Sequence, residues 1–391
     1  MLPKAISVDE RQRTGWRLTR IGAAGLALMA VAAAACGDRA ARTDADGQDG
    51  AGSRRTAAAR ADSLTLAERR AAGGRIVFLS ERDSTPQVYT ILPTGEGERR
   101  LSLGAGASFP AAVSRDGRTV LAVAVREEGG EHGEQVTVLP VGGGAARALG
   151  PASSRARSPS WAPDGGWVVF ESDRQSFRDL YRIGVDGSGL RRLTNNREGN
   201  FDPAISPDGR SIAFASSRDG DAEVYVMRAD GGGQRRLTAF FRDDWAPRWS
   251  PDGGTIAFLS NREGSDRIFL VAPDGTGLRK LNADSTRSLG QEADIAWSPD
   301  GSRIAHTLHA GPGVSRIRIV EVRTGAAREV GGVTAASQPA WSSDGRYLAF
   351  TASAGTGANA DAEIWLARAD GTAATRITHA KGADWLPIWA R

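Results

Sequence analysis

The sequence predicts an all-β fold, a seven-bladed β-propeller of four-stranded blades, and three observations carry that prediction. One hydrophobic position recurs at Val113, Trp161, Ile205, Trp249, Trp297, Trp341 and Trp389, with steps of 48, 44, 44, 48, 44 and 48 residues. Each unit holds four short segments of alternating apolar residues, split by Pro, Asp and Gly, which is the pattern of strands and turns. The ends of the repeat are complementary: "GRIVFLS" at 74–80 enters at a second strand, and "WLPIWA" at 385–390 is a first strand. One blade is therefore closed by N- and C-terminal strands, which removes the open edge that a stack of sheets leaves exposed.

Residues 1–36 precede the repeat. Lys4, Arg11, Arg13, Arg17 and Arg20 lead into "IGAAGLALMAVAAAA" at 21–35 and then Cys36, the one cysteine of the chain. A basic start and about 15 apolar residues have the layout of a secretory signal and fall short of the ~20 needed to span a bilayer. The segment resembles a bacterial lipoprotein signal, which implies lipidation of Cys36. Gly37, in place of aspartate, implies by the same resemblance no retention at the inner membrane. A plain cleaved signal and an uncleaved anchor helix are the alternatives. Residues 37–73, rich in Ala, Gly, Asp and Arg, offer almost nothing to bury and read as a flexible tether. A short helix near Leu64 to Arg70 has no partner that the sequence names.

Residues 74–391 are the propeller. The unit "FDPAISPDGRSIAFASSRDGDAEVYVMRADGGGQRRLT" at 201–238 gives strands at 203–206, 211–215, 223–227 and 234–238. "SPDG" recurs at 250–253 and 298–301. Its proline fixes φ, its aspartate bonds the local backbone and its glycine takes φ > 0, so turn formation explains it without calcium. The tryptophans pack between blades, and Tyr89, Tyr181, Tyr225, Phe269 and Trp365 are matching third-strand core aromatics. Together, "WSPDG", "IAF", the Ser-x-Arg turns and "RRLT" resemble the repeats of the TolB family, and also those of prolyl oligopeptidase and dipeptidyl peptidase propellers. TolB itself has six blades and an N-terminal α/β domain, whereas this chain shows seven blades behind a tether.

Charge and chemistry narrow the function. Outside the first 36 residues, 45 basic and 44 acidic side chains leave a net of +1, so no basic face for nucleic acid is announced. A lone cysteine excludes a disulfide framework and a thiolate metal site within the chain. There is no Gly-x-Ser-x-Gly elbow and no histidine cluster. His306 stands where other blades have Phe and reads as packed, His309 faces the opposite side of its strand, and His132 and His379 fall in loops. No catalytic residue, metal or cofactor is assigned. The pairs Arg99-Arg100, Arg191-Arg192, Arg235-Arg236 and Arg279-Lys280 mark outer strands, where cations discourage edge pairing or attract anionic surfaces.

Strand alternation sets second-to-third turns and blade-to-blade links on one face. That face collects Arg82, Arg174, Arg218 and Arg262 from the Ser-x-Arg turns, and Asp202, Asp244, Asp294 and Asp384 from the links. Phe201, Trp245 and Trp385 lie beside them. Ion pairs that brace the loops are one reading; a funnel that binds a ligand is the other. The function expected is a non-catalytic binding scaffold: a monomeric, periplasm-facing lipoprotein of the outer membrane that recognises an envelope protein, a peptide or a glycan and touches the membrane only through its lipid. A propeller enzyme, such as a polysaccharide lyase or a peptidase-associated subunit, is the alternative. A structural subunit resembling TolB's partnership with a peptidoglycan-associated lipoprotein is a third.

Overall fold

A computed structural model describes residues 63–104, 106–128, 131–151, 155–282, 290–353 and 361–391; Cys36, the leader and residues 37–62 lie outside them. Seven four-stranded antiparallel sheets form the blades. In blade 4 the strands are Asn200–Ile205, Ser211–Asp219, Asp221–Arg228 and Arg235–Arg236, from the inner to the outer edge. Ile205 opposes Ile212, Phe214 opposes Tyr225, and Tyr225 opposes Arg236. The outer strand is only two residues long, as a managed sheet edge should be.

The core lies between blades. Ala213, Val224 and Val226 of blade 4 pack against Ile256, Phe258, Phe269 and Val271 of blade 5. The recurring tryptophans tie these interfaces with hydrogen bonds as well as area. Trp249, Trp297 and Trp341 donate their indole N–H groups to Ala204, Arg248 and Ala296 carbonyls of the preceding blade, at 3.0, 3.2 and 3.0 Å. The outer-strand cations divide the same task. Arg99, Arg235 and Arg279 reach carbonyls of Val141, Pro273 and Val322 in the next blade. Arg236 turns inward to Glu223 of its own blade at 2.6 Å.

Blade 1 closes as the sequence predicts. Its inner strand is Asp384–Ala390, and Ile76 pairs with Trp389. Gly74, at φ 69°, lies where a Cβ would meet the Ala390 carbonyl oxygen at 2.2 Å, so the junction needs glycine.

Two findings depart from expectation. Helix α1 (Leu66–Ala72) does have a partner: Thr65 and Glu68 form a capping box, and Leu64 and Ala72 join a core cluster with Ile76, Ile364 and Ile377 of blades 1 and 7. Glu68 pairs with Arg368 at 2.8 Å and the Leu64 N–H donates to Thr375 at 2.7 Å. His132 is not in a loop but in the strand Glu131–Pro140, which pairs with the ten-residue strand Thr119–Glu128. The two strands pair over their full ten residues, from Thr119 opposite Pro140 to Glu128 opposite Glu131. His306 is packed as expected: it is fully buried, Nδ1 lies 3.2 Å from the Thr307 carbonyl, and burial pushes its pKa down so that the ring is neutral.

Candidate functional site

One face of the ring carries the second-to-third turns and the blade-to-blade links; the other carries the "SPDG" turns and the third-to-outer turns. The "SPDG" turns are self-contained. In blade 4 Asp208 accepts from the Ser206 hydroxyl at 2.6 Å and the Arg210 N–H at 3.0 Å, and Gly209 has φ 72°. Those bonds hold the Asp208 carboxyl below its usual pKa.

On the Ser-x-Arg face, the four arginines are built identically. Nε of Arg82, Arg174, Arg218 and Arg262 donates to the serine two residues earlier, at 2.6, 3.2, 2.9 and 2.8 Å. Each guanidinium covers the third-strand aromatic of its blade, at 4.5 Å for Tyr89, 4.8 Å for Tyr181, 4.5 Å for Tyr225 and 4.5 Å for Phe269. Three then reach the inner strand: Arg82 to Asp384 at 3.1 Å, Arg218 to Asn200 at 3.0 Å, and Arg262 to Asp244 at 2.8 Å. Asp244 and Asp384 are buried, so these contacts brace turn against strand. Burial pushes the Asp384 carboxyl up, opposed by its bonds to Ser80, Arg82 and Thr378.

Asp202 and Asp294 belong to a different layer. Each sits at a bulge in its inner strand where the backbone turns left-handed, with φ 52° and 55°, and the same position has positive φ at Ser158, Ala246, Gln338 and Leu386. The N–H groups at this position donate to side chains of the preceding blade. Glu171 accepts from Asp202 at 2.7 Å, Asp294 from Gln338 at 3.3 Å, and Gln338 from Leu386 at 3.0 Å. Asp202 accepts in turn from Ala246. Burial pushes the Asp202 carboxyl up to about 6, with the Glu171 carboxylate adding to the shift against Arg248 and Arg178. Glu171 and Gln338 are partners that sequence reasoning missed. A count back from the recurring hydrophobic position separates the layers: Asp202 and Asp294 lie three residues before it, Asp244 and Asp384 five.

The expected aromatics divide. Phe201 and Trp245 are buried in one cluster with Leu259 and Ile268, so they pack blade against blade. Trp385 is half-buried and donates its indole N–H to Glu81. Solvent meets other apolar groups of this face, which the sequence reading passed over: Leu103 and Phe241 are each 70% exposed and Phe177 is 39% exposed. The Phe241 ring lies 4.4 Å from that of Phe240, tilted by 31°, with the Arg242 guanidinium 5.5 Å from its ring. No signal of repetition marks them, because each stands on a link or turn unlike its equivalents. A hollow of about 290 Å³ opens nearby, lined by Arg192, Leu193, Thr194, Asn195, Asn196, Arg218 and Gln234. Among the described residues no group of three or more His, Cys, Asp or Glu side chains is placed to hold a metal.

Residues 178–307 match the sequence family described as the tricorn protease N-terminal beta propeller domain. The structure resembles TolB from Acinetobacter baumannii with a TM-score of 0.54 at 18% identity, over 84% of this chain and 86% of that one. The body of the chain has a β-propeller fold like that of TolB. The propeller also resembles puromycin hydrolase, with a TM-score of 0.62 at 18% identity over 78% of this chain and 52% of that one. It resembles a manganese-bound oligogalacturonate lyase, with 0.57 at 15% identity over 78% and 85%. At such identities these likenesses establish the fold. An uncharacterized protein of Agrobacterium fabrum is 31% identical over 111 residues, a stretch that spans 28% of this chain and 36% of the relative.

Proposed function

We propose that the TolB-like propeller is a non-catalytic binding scaffold of the bacterial envelope, lipid-anchored at Cys36 on the outer membrane, whose Ser-x-Arg face captures a protein, peptide or glycan. The observation that carries this reading is the Phe240-Phe241-Arg242 ledge on a link of that face, with Phe241 largely in solvent. An aromatic and cationic ledge on a rigid ring has the chemistry of a binding anchor, whereas the opposite face is mostly turns tied to themselves. The buried braces hold the ledge's surroundings in place; Arg262 itself lies 5.1 Å from the Phe240 ring.

Capture tests this directly: full-length protein is crosslinked in envelope preparations and its partners are recovered. Phe241→Ala combined with Trp385→Ala is expected to lower recovery about 30-fold, since aromatic anchors contribute about 2 kcal/mol, with the melting temperature little changed. Normal recovery by that variant, with loss instead in a variant altered on the "SPDG" face, would sink the assignment. The enzyme reading draws on the lyase likeness, which spans 85% of the lyase's own chain. Release of unsaturated products from acidic polysaccharides by the purified protein would establish it in place of the scaffold.

A further inference from the structure

We infer that the hollow between blades 3 and 4 is a carboxylate subsite, which takes an acidic side chain of a peptide or protein partner against Arg218. The inference deepens the binding-scaffold reading, on which the peptide rests, by assigning a site apart from the Phe241 ledge and the group that enters it.

The hollow lies where a repeated charge balance fails. At the interface of blades 4 and 5 four groups come together: Glu223 and Arg236 of one blade, Asp244 and Arg262 of the next. Glu363 and Arg376 with Asp384 and Arg82 repeat the arrangement between blades 7 and 1. Each quartet holds two carboxylates and two guanidinium groups. Between blades 3 and 4 the same places carry Asp179, Arg192, Asn200 and Arg218, so an amide replaces one carboxylate and a positive charge is left over. Asn200 stands five residues before the recurring hydrophobic position, as Asp244 and Asp384 do. A second acid is missing from the same interface. The residue after the Ser-x-Arg arginine is Asp83, Asp219 and Glu263 in blades 1, 4 and 5 but Gln175 in blade 3, where it accepts from Arg192 at 2.7 Å. Asp83 and Asp219 accept the hydroxyls of Tyr89 and Tyr225, whereas the buried Tyr181 hydroxyl has no partner among the described residues.

Arg192 is neutralised by Asp179, but Arg218 forms no ion pair among the described residues. Its Nε and Nη2 are held by Ser216 and Asn200, so Nη1 remains for a ligand. Both arginines line the hollow, together with Asn195 and Asn196. Acceptors around them are already engaged: Oδ1 of Asn196 receives the Gly199 N–H at 3.0 Å, and Oγ1 of Thr194 the Leu180 N–H at 2.9 Å. A hydroxyl-rich sugar, which must donate, is poorly met there. A carboxylate only accepts, and its bonds to a guanidinium are among the strong ones. Its single charge also matches one spare cation, where a phosphate would bring nearly two.

Binding of two blocked pentapeptides, Ala-Gly-Glu-Gly-Ala and its Gln counterpart, to the purified full-length protein tests the site by calorimetry. The expected preference for the Glu peptide is at least tenfold. Asn200→Asp supplies the carboxylate that blades 1 and 5 already have, so it neutralises Arg218 in place and should bring the preference below twofold. Glu223 beside Asp244 shows that such an interface tolerates two acids. Arg218→Gln should abolish the preference as well, and Arg191→Gln, exposed on the outer strand, should keep it. Equal binding of both peptides by the wild type overturns the site. A preference that survives Asn200→Asp and Arg218→Gln, or that Arg191→Gln removes, overturns its placement at Arg218. Tighter binding of galacturonate than of the Glu peptide gives the hollow to a glycan and overturns the peptide. The envelope capture scores Phe241 and Trp385, which do not line the hollow, so a failed scaffold reading shows there and a failed carboxylate site shows here.

Discussion

Asp202 is a carboxyl buried in a wall of the ring, and its protonation is linked to stability. Its folded pKa, about 6, lies above the ordinary value of 3.8, so the folded state holds a proton that the unfolded chain has released between about pH 4 and pH 6. Stability is therefore lost as pH rises through that window. Asp202→Asn keeps an acceptor for the Ala246 N–H and tolerates φ 52°, yet cannot ionise. Denaturant titrations should find the variant gaining on the wild type from pH 4 to pH 8 by on the order of 2–3 kcal/mol. A constant difference across that range would show that Asp202 does not titrate there. Arg262 makes the opposite case. Arg262→Ala leaves Asp244 buried without its ion pair and removes a cation from the Phe269 ring, so a loss of about 3 kcal/mol in the same titration is expected. A loss below about 1 kcal/mol would mean the brace is idle.

Among elements, α1 is held by a pair whose charge can be removed. Bonds to Arg368 and Thr65 hold the Glu68 carboxyl down to about 2 from 4.5. A depressed folded pKa gives stability that is fully present above pH 4.5 and lost as pH falls toward 2. Amide protection in α1, corrected for intrinsic exchange, should fall between pH 4.5 and 2 while the inner strands keep theirs. Uniform protection over that range would remove Glu68 from the contact. The helix also shows where sequence legibility ends. Thr65 and Glu68 were readable as a cap, but docking depends on Ile377 and Thr375, three hundred residues away, which no local pattern connects. The blades were legible because their spacing, turns and period-two alternation all agree at the local level. The candidate site was less so. Ser-x-Arg repeats announced a structural brace as loudly as they would a binding residue, and the bulge that separates Asp202 from Asp244 shows only as a two-residue offset. Phe241 carries no repeat signature at all.

For the whole molecule, closure concentrates stability at one seam. Removal of 385–391 takes the inner strand from blade 1, with Trp389 and its contacts to Ile76 and α1. Several buried side chains at about 1.5–3 kcal/mol each rival the margin of a folded domain. Thermal scans should show a drop in melting temperature of at least 10 °C, or no cooperative transition. An unchanged midpoint would mean that the ring does not need its closing strand.

The same seam governs the order of events during synthesis. Arg75 pairs with Ala390, a partner made 315 residues later, whereas the other six blades can pair from strands that emerge together. Local hairpins form early, but this contact waits for the ribosome and carries a long loop-closure penalty. Until then blade 1 is a three-stranded sheet with a bare inner edge, and blade 7 lacks its neighbour. In refolding followed by pulsed hydrogen exchange, residues 76–91 should gain protection last, so the first blade made is the last to be finished.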